Sequence, residues 1–270
     1  MAVREDSALS DPRHGDVHLR RVATASLIGT TIEFYDLFLY GLAASLVFGP
    51  EFFPKASPTA GSLVSLATFG VGFIARPFGG VLFGHFGDRL GRKRALVVTL
   101  MLAGASTFLT GLLPTYDQIG VLAPVLLVLL RLVQGVAIGG EWGGAVLLAM
   151  EHAPRARRGL YSSFAQMGNP IGLVAAIVVL GLCNGVLSGT EFVAWGWRIP
   201  FLLSVVLVAV GLVVRLRLLE SPEFVQVRAA QQIVRLPVVS VLRRQPRALV
   251  FGTLAATASP AIGLLVNVYL

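Results

Sequence analysis

Seven apolar stretches, each about as long as the helix that crosses a bilayer core of roughly 30 Å, constrain this chain more than any other feature. They cover residues 22–48, 60–86, 95–113, 121–150, 160–187, 199–214 and 248–270. None shows the alternation of apolar and polar residues that a membrane β-strand needs, so the chain reads as an all-α integral membrane protein. Composition agrees. Hydrophobic residues make up 55% of the chain and charged residues 13%, about half the charged share of a soluble domain, which excludes a water-soluble globule. The net charge of +8 is scattered between apolar runs rather than gathered on one surface, so no nucleic-acid partner is expected. Cys183 is the single cysteine, which excludes an intramolecular disulfide and a cysteine-based metal site.

The first 21 residues are polar, and the run that follows is too long for the core of a cleavable signal, so it reads as a first membrane helix. Basic residues alternate from loop to loop. Eighteen fall in the amino-terminal tail and after spans 2, 4 and 6, whereas the intervening loops hold only Lys55 and Arg198. That bias places the amino terminus in the cytoplasm, with Trp195, Trp197 and Tyr116 as interfacial anchors on the far side. The expected organisation is a cytoplasmic tail over 1–21, a six-helix transmembrane bundle over 22–219, a cytoplasmic linker over 220–247 and a seventh transmembrane helix over 248–270. Ser221, Pro222 and Glu223 supply a cap, a first-turn proline and an early acid for an amphipathic helix in the linker.

Ionisable side chains inside hydrocarbon cost at least about 2.5 kcal/mol each and require a partner, a water-filled cavity or a function. Five qualify: Glu33 and Asp36 in span 1, Arg76 in span 2, Arg131 and Glu141 in span 4. At 100° per residue, Glu33, Asp36 and Tyr40 share one face of the first helix, and Arg131, Gln134 and Glu141 share one face of the fourth. Three acids against two bases leave one carboxylate without a full-charge partner, which makes it a candidate proton carrier. A guanidinium binds a carboxylate through paired hydrogen bonds, so Arg76 and Arg131 suggest an anionic or zwitterionic solute. The competing reading is that Glu33 with Arg76, or Asp36 with Arg131, are ion pairs that hold helices in register. On the functional reading the charges line a wet vestibule.

Gly135, Gly139 and Gly143 in span 4, and Gly168 with Gly172 in span 5, suit close helix packing. Asn169 precedes Pro170, which frees a backbone carbonyl in the preceding turn; Asn169 is open to contact with solute or with another helix. His14, His18, His85 and His152 all fall outside the apolar runs, and no nucleophile, metal cluster or phosphate-binding loop accompanies them. An enzyme is not indicated.

After span 2 the chain reads Gly84-His-Phe-Gly-Asp-Arg-Leu-Gly-Arg-Lys93. A positive-inside loop explains the bases but not Asp88. The segment resembles the cytoplasmic signature of the major facilitator superfamily, matched at Gly84, Asp88, Arg89, Gly91, Arg92 and Lys93. Arg131-Leu-Val-Gln-Gly135 and Glu220-Ser-Pro-Glu223 resemble two further elements of that superfamily. Ile32-Glu-Phe-Tyr-Asp-Leu-Phe-Leu-Tyr40, Gly139-Gly-Glu-Trp-Gly-Gly-Ala145 and Trp195-Gly-Trp-Arg-Ile-Pro-Phe201 are similar to its metabolite:proton symporters, carriers of shikimate, 2-oxoglutarate, citrate, proline and betaine.

The resemblance implies two six-helix bundles with a solute held between them, of which this chain would supply the amino-terminal bundle and one helix more. It implies secondary active transport, a proton-coupled symport of a small polar, carboxylate-bearing metabolite across the cell membrane, with no cofactor other than the coupling proton. Glu33, Asp36, Arg131 and Glu141 become the proton-coupling candidates. Tyr40, Arg76, Arg131, Gln134 and Asn169 become the solute-binding candidates, and Gly84, Asp88, Arg89, Gly91, Arg92 and Lys93 the cytoplasmic gate. No metal is expected; the partners are the bilayer, a small organic acid or zwitterion, and a missing second half or a second copy. The alternative is a truncated half-carrier that inserts or associates without transporting.

Overall fold

The computed structural model describes residues 12–216, 229 and 245–255. Helix α1 (Pro12–Leu46) is followed by the short α2 (Phe48–Phe52). Then come α3 (Pro58–Leu90), α4 (Arg92–Leu112), the single turn α5 (Tyr116–Ile119) and α6 (Leu122–His152). Helix α7 (Arg158–Val186), the short α8 (Gly189–Glu191) and α9 (Arg198–Leu216) complete the series. Among the described residues, six helices are long and apolar enough to cross a membrane. The linker expected over 220–247 lies, but for a few positions, outside the described residues; of the seventh span expected over 248–270, residues 248–255 are helical and the rest lie outside the described residues.

Local chemistry sets the ends of these helices. Pro58 occupies a first-turn position of α3, where a missing N–H costs nothing, and α1 is already helical well ahead of the apolar run at Val22. Ser57 caps α3 by accepting from the Ala60 N–H at 3.3 Å. Gly91 separates α3 from α4 at φ 106°, a conformation that favours glycine. At the opposite end Arg198 donates to the carbonyl oxygens of Gly111 (3.0 Å) and Leu113 (2.5 Å), satisfying the last turn of α4.

Helix α1 packs against α7, α3 against α6, and α4 against α6 and α9. Small residues permit these approaches, as expected in a bilayer, where hydrophobicity does not drive helices together. A Cβ on Gly135 would strike the Gly72 carbonyl, one on Gly139 the Arg76 backbone, and one on Gly79 the Val136 carbonyl. Gly168 and Gly172 bring α7 against Thr30, Thr31 and Phe34 of α1 in the same way. Helix α7 continues unbroken through Pro170.

The main apolar core lies towards the carboxyl end of α1, where Phe48, Phe52, Trp197 and Phe201 pack edge to face with centroids 5.4–6.1 Å apart. Trp197 is 0% exposed, which corrects its expected place as an interfacial anchor. The π-type turn Phe192–Gly196 directs it inward among aromatic rings, while Trp195 stays 48% exposed.

Candidate functional site

Four of the five membrane charges lie inside the bundle. Glu33 is 4% exposed, Asp36 and Glu141 1%, and Arg131 2%, whereas Arg76 is half-buried with its guanidinium 4.4 Å from the Phe73 ring centre. They are enclosed by helices rather than arrayed along an open vestibule. The three-residue spacing of Glu33 and Asp36 puts both on one face of α1, and the spacing of Arg131, Gln134 and Glu141 puts all three on one face of α6, from which they reach α1, α4 and α9 respectively.

Asp36 and Arg131 are joined indirectly. The Arg131 Nη1 donates to Gln134 Oε1 at 2.5 Å, Gln134 Nε2 donates to Thr107 Oγ1 at 2.8 Å, and Thr107 Oγ1 donates to Asp36 Oδ2 at 2.9 Å. The link therefore crosses three helices, α6, α4 and α1, through neutral side chains. Arg131 also lies over Tyr40 and Phe69, 4.1 and 4.8 Å from the ring centres, which suits a guanidinium drawn out of water. Tyr40 in turn donates to Thr68 Oγ1 at 2.7 Å, since the Thr68 hydroxyl is committed to the Ser65 carbonyl at 2.6 Å.

Glu141 forms a buried ion pair with Arg215, whose other donor takes the Leu96 carbonyl. This corrects the charge count. Arg215 reads in the sequence as one base of a cytoplasmic cluster, yet it is 3% exposed and balances three acids with three bases. Its guanidinium lies over Gly29, one turn from Glu33, and a Cβ on Gly29 would collide with it. The signal was present: Ser204, Val208, Gly211 and Arg215 form one buried stripe at helical spacing, and Leu216, Leu218 and Leu219 follow, interrupted by Arg217. Thr107 was missed as well, although Thr99, Ala103, Ser106, Thr107 and Thr110 form a comparable stripe on α4.

Three buried atoms of this cluster have no hydrogen-bond partner: Glu33 Oε2, Asp36 Oδ1 and Arg131 Nε. Unsatisfied polar atoms are costly inside a protein, and three of them fall in this one cluster. Glu33 has Arg76, Arg215, Glu141 and Asp36 as electrostatic neighbours, and neither of the direct pairs considered from the sequence, Glu33 with Arg76 or Asp36 with Arg131, is formed. Asn169 stands apart, partly buried on α7 beside the Thr30 contact, with no hydrogen bond to the cluster.

The motif after α3 forms a second locus. Gly84, Asp88 and Arg92 line a cavity of about 230 Å³ with Phe83, Leu96 and Gly140. Asp88 and Arg89 are exposed, Gly91 makes the turn, and Lys93 Nζ donates to the Leu216 carbonyl at 2.8 Å, tying α4 to the end of α9.

Six helices among the described residues, each long and apolar enough to cross a membrane, with acids and bases buried on facing helices, define a multi-pass membrane protein. The chain belongs to the sugar (and other) transporter family, which it matches over residues 22–234. It is 49% identical over 249 residues to the inner membrane metabolite transport protein YhjE of Escherichia coli K12, covering 92% of this chain and 57% of that protein. It is 50% identical over 231 residues to the shikimate transporter of the same organism, covering 85% of this chain and 53% of that protein. The glycine betaine/proline/ectoine/pipecolic acid transporter OusA of Dickeya dadantii is 40% identical over 211 residues, 78% of this chain and 42% of its own. The chain thus spans about half the length of these relatives.

Among solved structures, the major facilitator superfamily proton:xylose symporter XylE bound to 6-bromo-6-deoxy-D-glucose superposes with a TM-score of 0.69 at 18% identity, over 81% of this chain and 48% of that one. Its inward open form from E. coli gives 0.64 at 18% identity, over 88% and 56%. These likenesses show the fold. The family is one of transporters.

Proposed function

We propose that this chain is the amino-terminal half of a proton-coupled symporter for a small polar, carboxylate-bearing metabolite, with its amino terminus in the cytoplasm. The observation that carries the reading is the buried cluster in which Asp36, Glu33 and Arg131 each keep an unpartnered polar atom. A carboxylate that keeps a free atom inside the bundle is a group that can take up a proton, and a free guanidinium nitrogen is where an anionic solute can be held. Arg76, half-buried on α3, and Tyr40 with Gln134 flank the same place. Glu141 holds Arg215 and leaves Glu33 and Asp36 as the carriers of the proton. Asp88, Arg89, Arg92 and Lys93 form the cytoplasmic gate with a second bundle. With Arg215 buried, seventeen basic residues rather than eighteen support the cytoplasmic amino terminus, still against Lys55 and Arg198.

The test is uptake of shikimate, proline and betaine into liposomes by this chain joined to a second six-helix half, driven by a pH gradient. Uptake that ignores the gradient and survives both Glu33→Gln and Asp36→Asn overturns the coupling. A second reading is a half that inserts and associates without transporting. It predicts no uptake by the chain alone and crosslinks between copies, or to another carrier, in the membrane.

A further inference from the structure

We propose that Thr107 is a positioning residue that couples protonation of Asp36 to the Arg131–Gln134 pair through its single hydroxyl proton. The inference rests on the reading of Asp36 as a proton site and adds the device by which α6 senses that proton.

A threonine hydroxyl has one proton to donate and two lone pairs to accept with. Three groups surround this one: Gln134 Nε2 at 2.8 Å, Asp36 Oδ2 at 2.9 Å and the Ala103 carbonyl oxygen at 3.1 Å. The Gln134 amide is fixed in orientation, because its oxygen accepts from Arg131 and a guanidinium offers only donors. Gln134 therefore always donates to Thr107 Oγ1. One proton and one lone pair remain to be divided between Asp36 and Ala103.

Two divisions satisfy the three groups around the Thr107 hydroxyl. With Asp36 ionised, Thr107 donates to the carboxylate. With Asp36 protonated on Oδ2, the acid donates to Thr107 and the hydroxyl proton turns to the Ala103 carbonyl, which has a lone pair beyond its helical bond. No heavy atom need move. In the first state Thr107 accepts from Gln134 alone while donating to an anion, which strengthens the whole chain out to Arg131. In the second its oxygen is shared between two donors and the pull on Gln134 weakens. Protonation on α1 is thereby read on α6.

Each helix packed on α1 presents its own groups to this region. Helix α6 brings Arg131 and Glu141 to Asp36, α1 itself Glu33 and Tyr35, and α4 the Thr107 hydroxyl. Helices α3 and α9 bring Arg76 and Arg215 to Glu33, and α7 brings Cys183 to Tyr35. Glu51 of α2 interacts with Arg198 and Asp117 instead. The direct hydrogen bond to Asp36 is the one from Thr107.

The experiment uses the full chain in lipid nanodiscs and follows the infrared carbonyl band of protonated Asp36, identified as the band lost in Asp36→Asn, across a proton titration. Thr107→Val, of the same shape, displaces the midpoint by about one pH unit, a tenfold change in proton affinity, and Thr107→Ser restores it. Gln134→Leu displaces the midpoint in the parent chain and leaves it unmoved in Thr107→Val. Should Val not be accommodated, Thr107→Ala removes the same hydroxyl and gives the same loss of coupling. An Asp36 band that titrates identically with and without the hydroxyl, or a Gln134→Leu displacement of equal size in both backgrounds, overturns the role of Thr107 alone. If no band depends on Asp36, the proton-site reading falls and takes this inference with it.

Discussion

Arg215, in the last turn of α9, forms an ion pair with Glu141 in the interior of α6 while its second donor holds the Leu96 carbonyl on α4. Three helices meet on one guanidinium. The contact closes the bundle by fixing the sixth span to the third and fourth at the end where Lys93 also reaches the Leu216 carbonyl. It also gives Glu141 its partner, so that the two buried acids of the cluster without a direct ion pair are both on α1.

Breaking that pair on one side leaves an uncompensated buried charge, which typically costs about 3–5 kcal/mol. Arg215→Gln is therefore expected to unfold at markedly lower denaturant in micelles, followed by loss of helical circular dichroism. Arg215→Met combined with Glu141→Leu removes both charges and regains most of the loss. A double variant as unstable as the single one would mean that Arg215 acts through its hold on Leu96 and not through the acid.

What the sequence displayed and what it concealed differ for physical reasons. The spans were legible because a bilayer demands long apolar runs, and Glu33, Asp36, Arg131 and Gln134 were legible because helical spacing puts them on shared faces. Arg215 was hidden because it sits just past the apolar window that ends at Val214, where a base is ordinarily a cytoplasmic flank. Thr107 was hidden because a hydroxyl in a span is usually satisfied by its own helix, and only the neighbourhood of α1 and α6 gives it other partners. Trp197 was misplaced because position along the chain indicates depth but not whether a ring turns to lipid or inward.

Trp195 and Trp197 offer a direct check of that last point. Single-tryptophan chains that retain one or the other should respond oppositely to an aqueous or lipid-borne fluorescence quencher: Trp195, 48% exposed, is quenched, and Trp197, 0% exposed among Phe48, Phe52 and Phe201, is spared. Trp197→Ala opens a cavity and costs about 3–5 kcal/mol. Equal quenching of the two would place Trp197 on the surface.

The glycines divide into those under a neighbouring helix and those facing open space. Gly139→Ala puts a methyl group into the Arg76 backbone, and Gly79→Ala into the Val136 carbonyl. Backbone yields little, so each should destabilise by about 1–3 kcal/mol in micelle unfolding. Gly181 has nothing within 4 Å, and Gly181→Ala should be neutral or gain up to about 1 kcal/mol from helix propensity. Equal costs at Gly139 and Gly181 would argue against the close α3–α6 approach.

Outside the membrane, Glu191 offers a local test of pH dependence. Its Oε2 accepts from the Ser188 hydroxyl at 2.7 Å and from the Ser188 backbone N–H at 3.0 Å, while Ser188 Oγ accepts from the Glu191 N–H at 3.3 Å, a reciprocal cap on the turn leading into the Trp197 segment. Both donors favour the ionised acid and hold it below the ordinary carboxylate value of 4.5, the side-chain bond contributing first. A carboxylate whose folded value is depressed contributes stability that is present above its unfolded value and disappears as pH falls through the folded one. The cap is thus intact at neutral pH and lost in acid. Magnetic resonance titration of the Glu191 carboxyl carbon should find its midpoint below 4.5, and Ser188→Ala should bring the midpoint back towards 4.5 and loosen the turn by hydrogen exchange. A midpoint that stays put when the serine hydroxyl is removed would assign the depression to the backbone N–H alone.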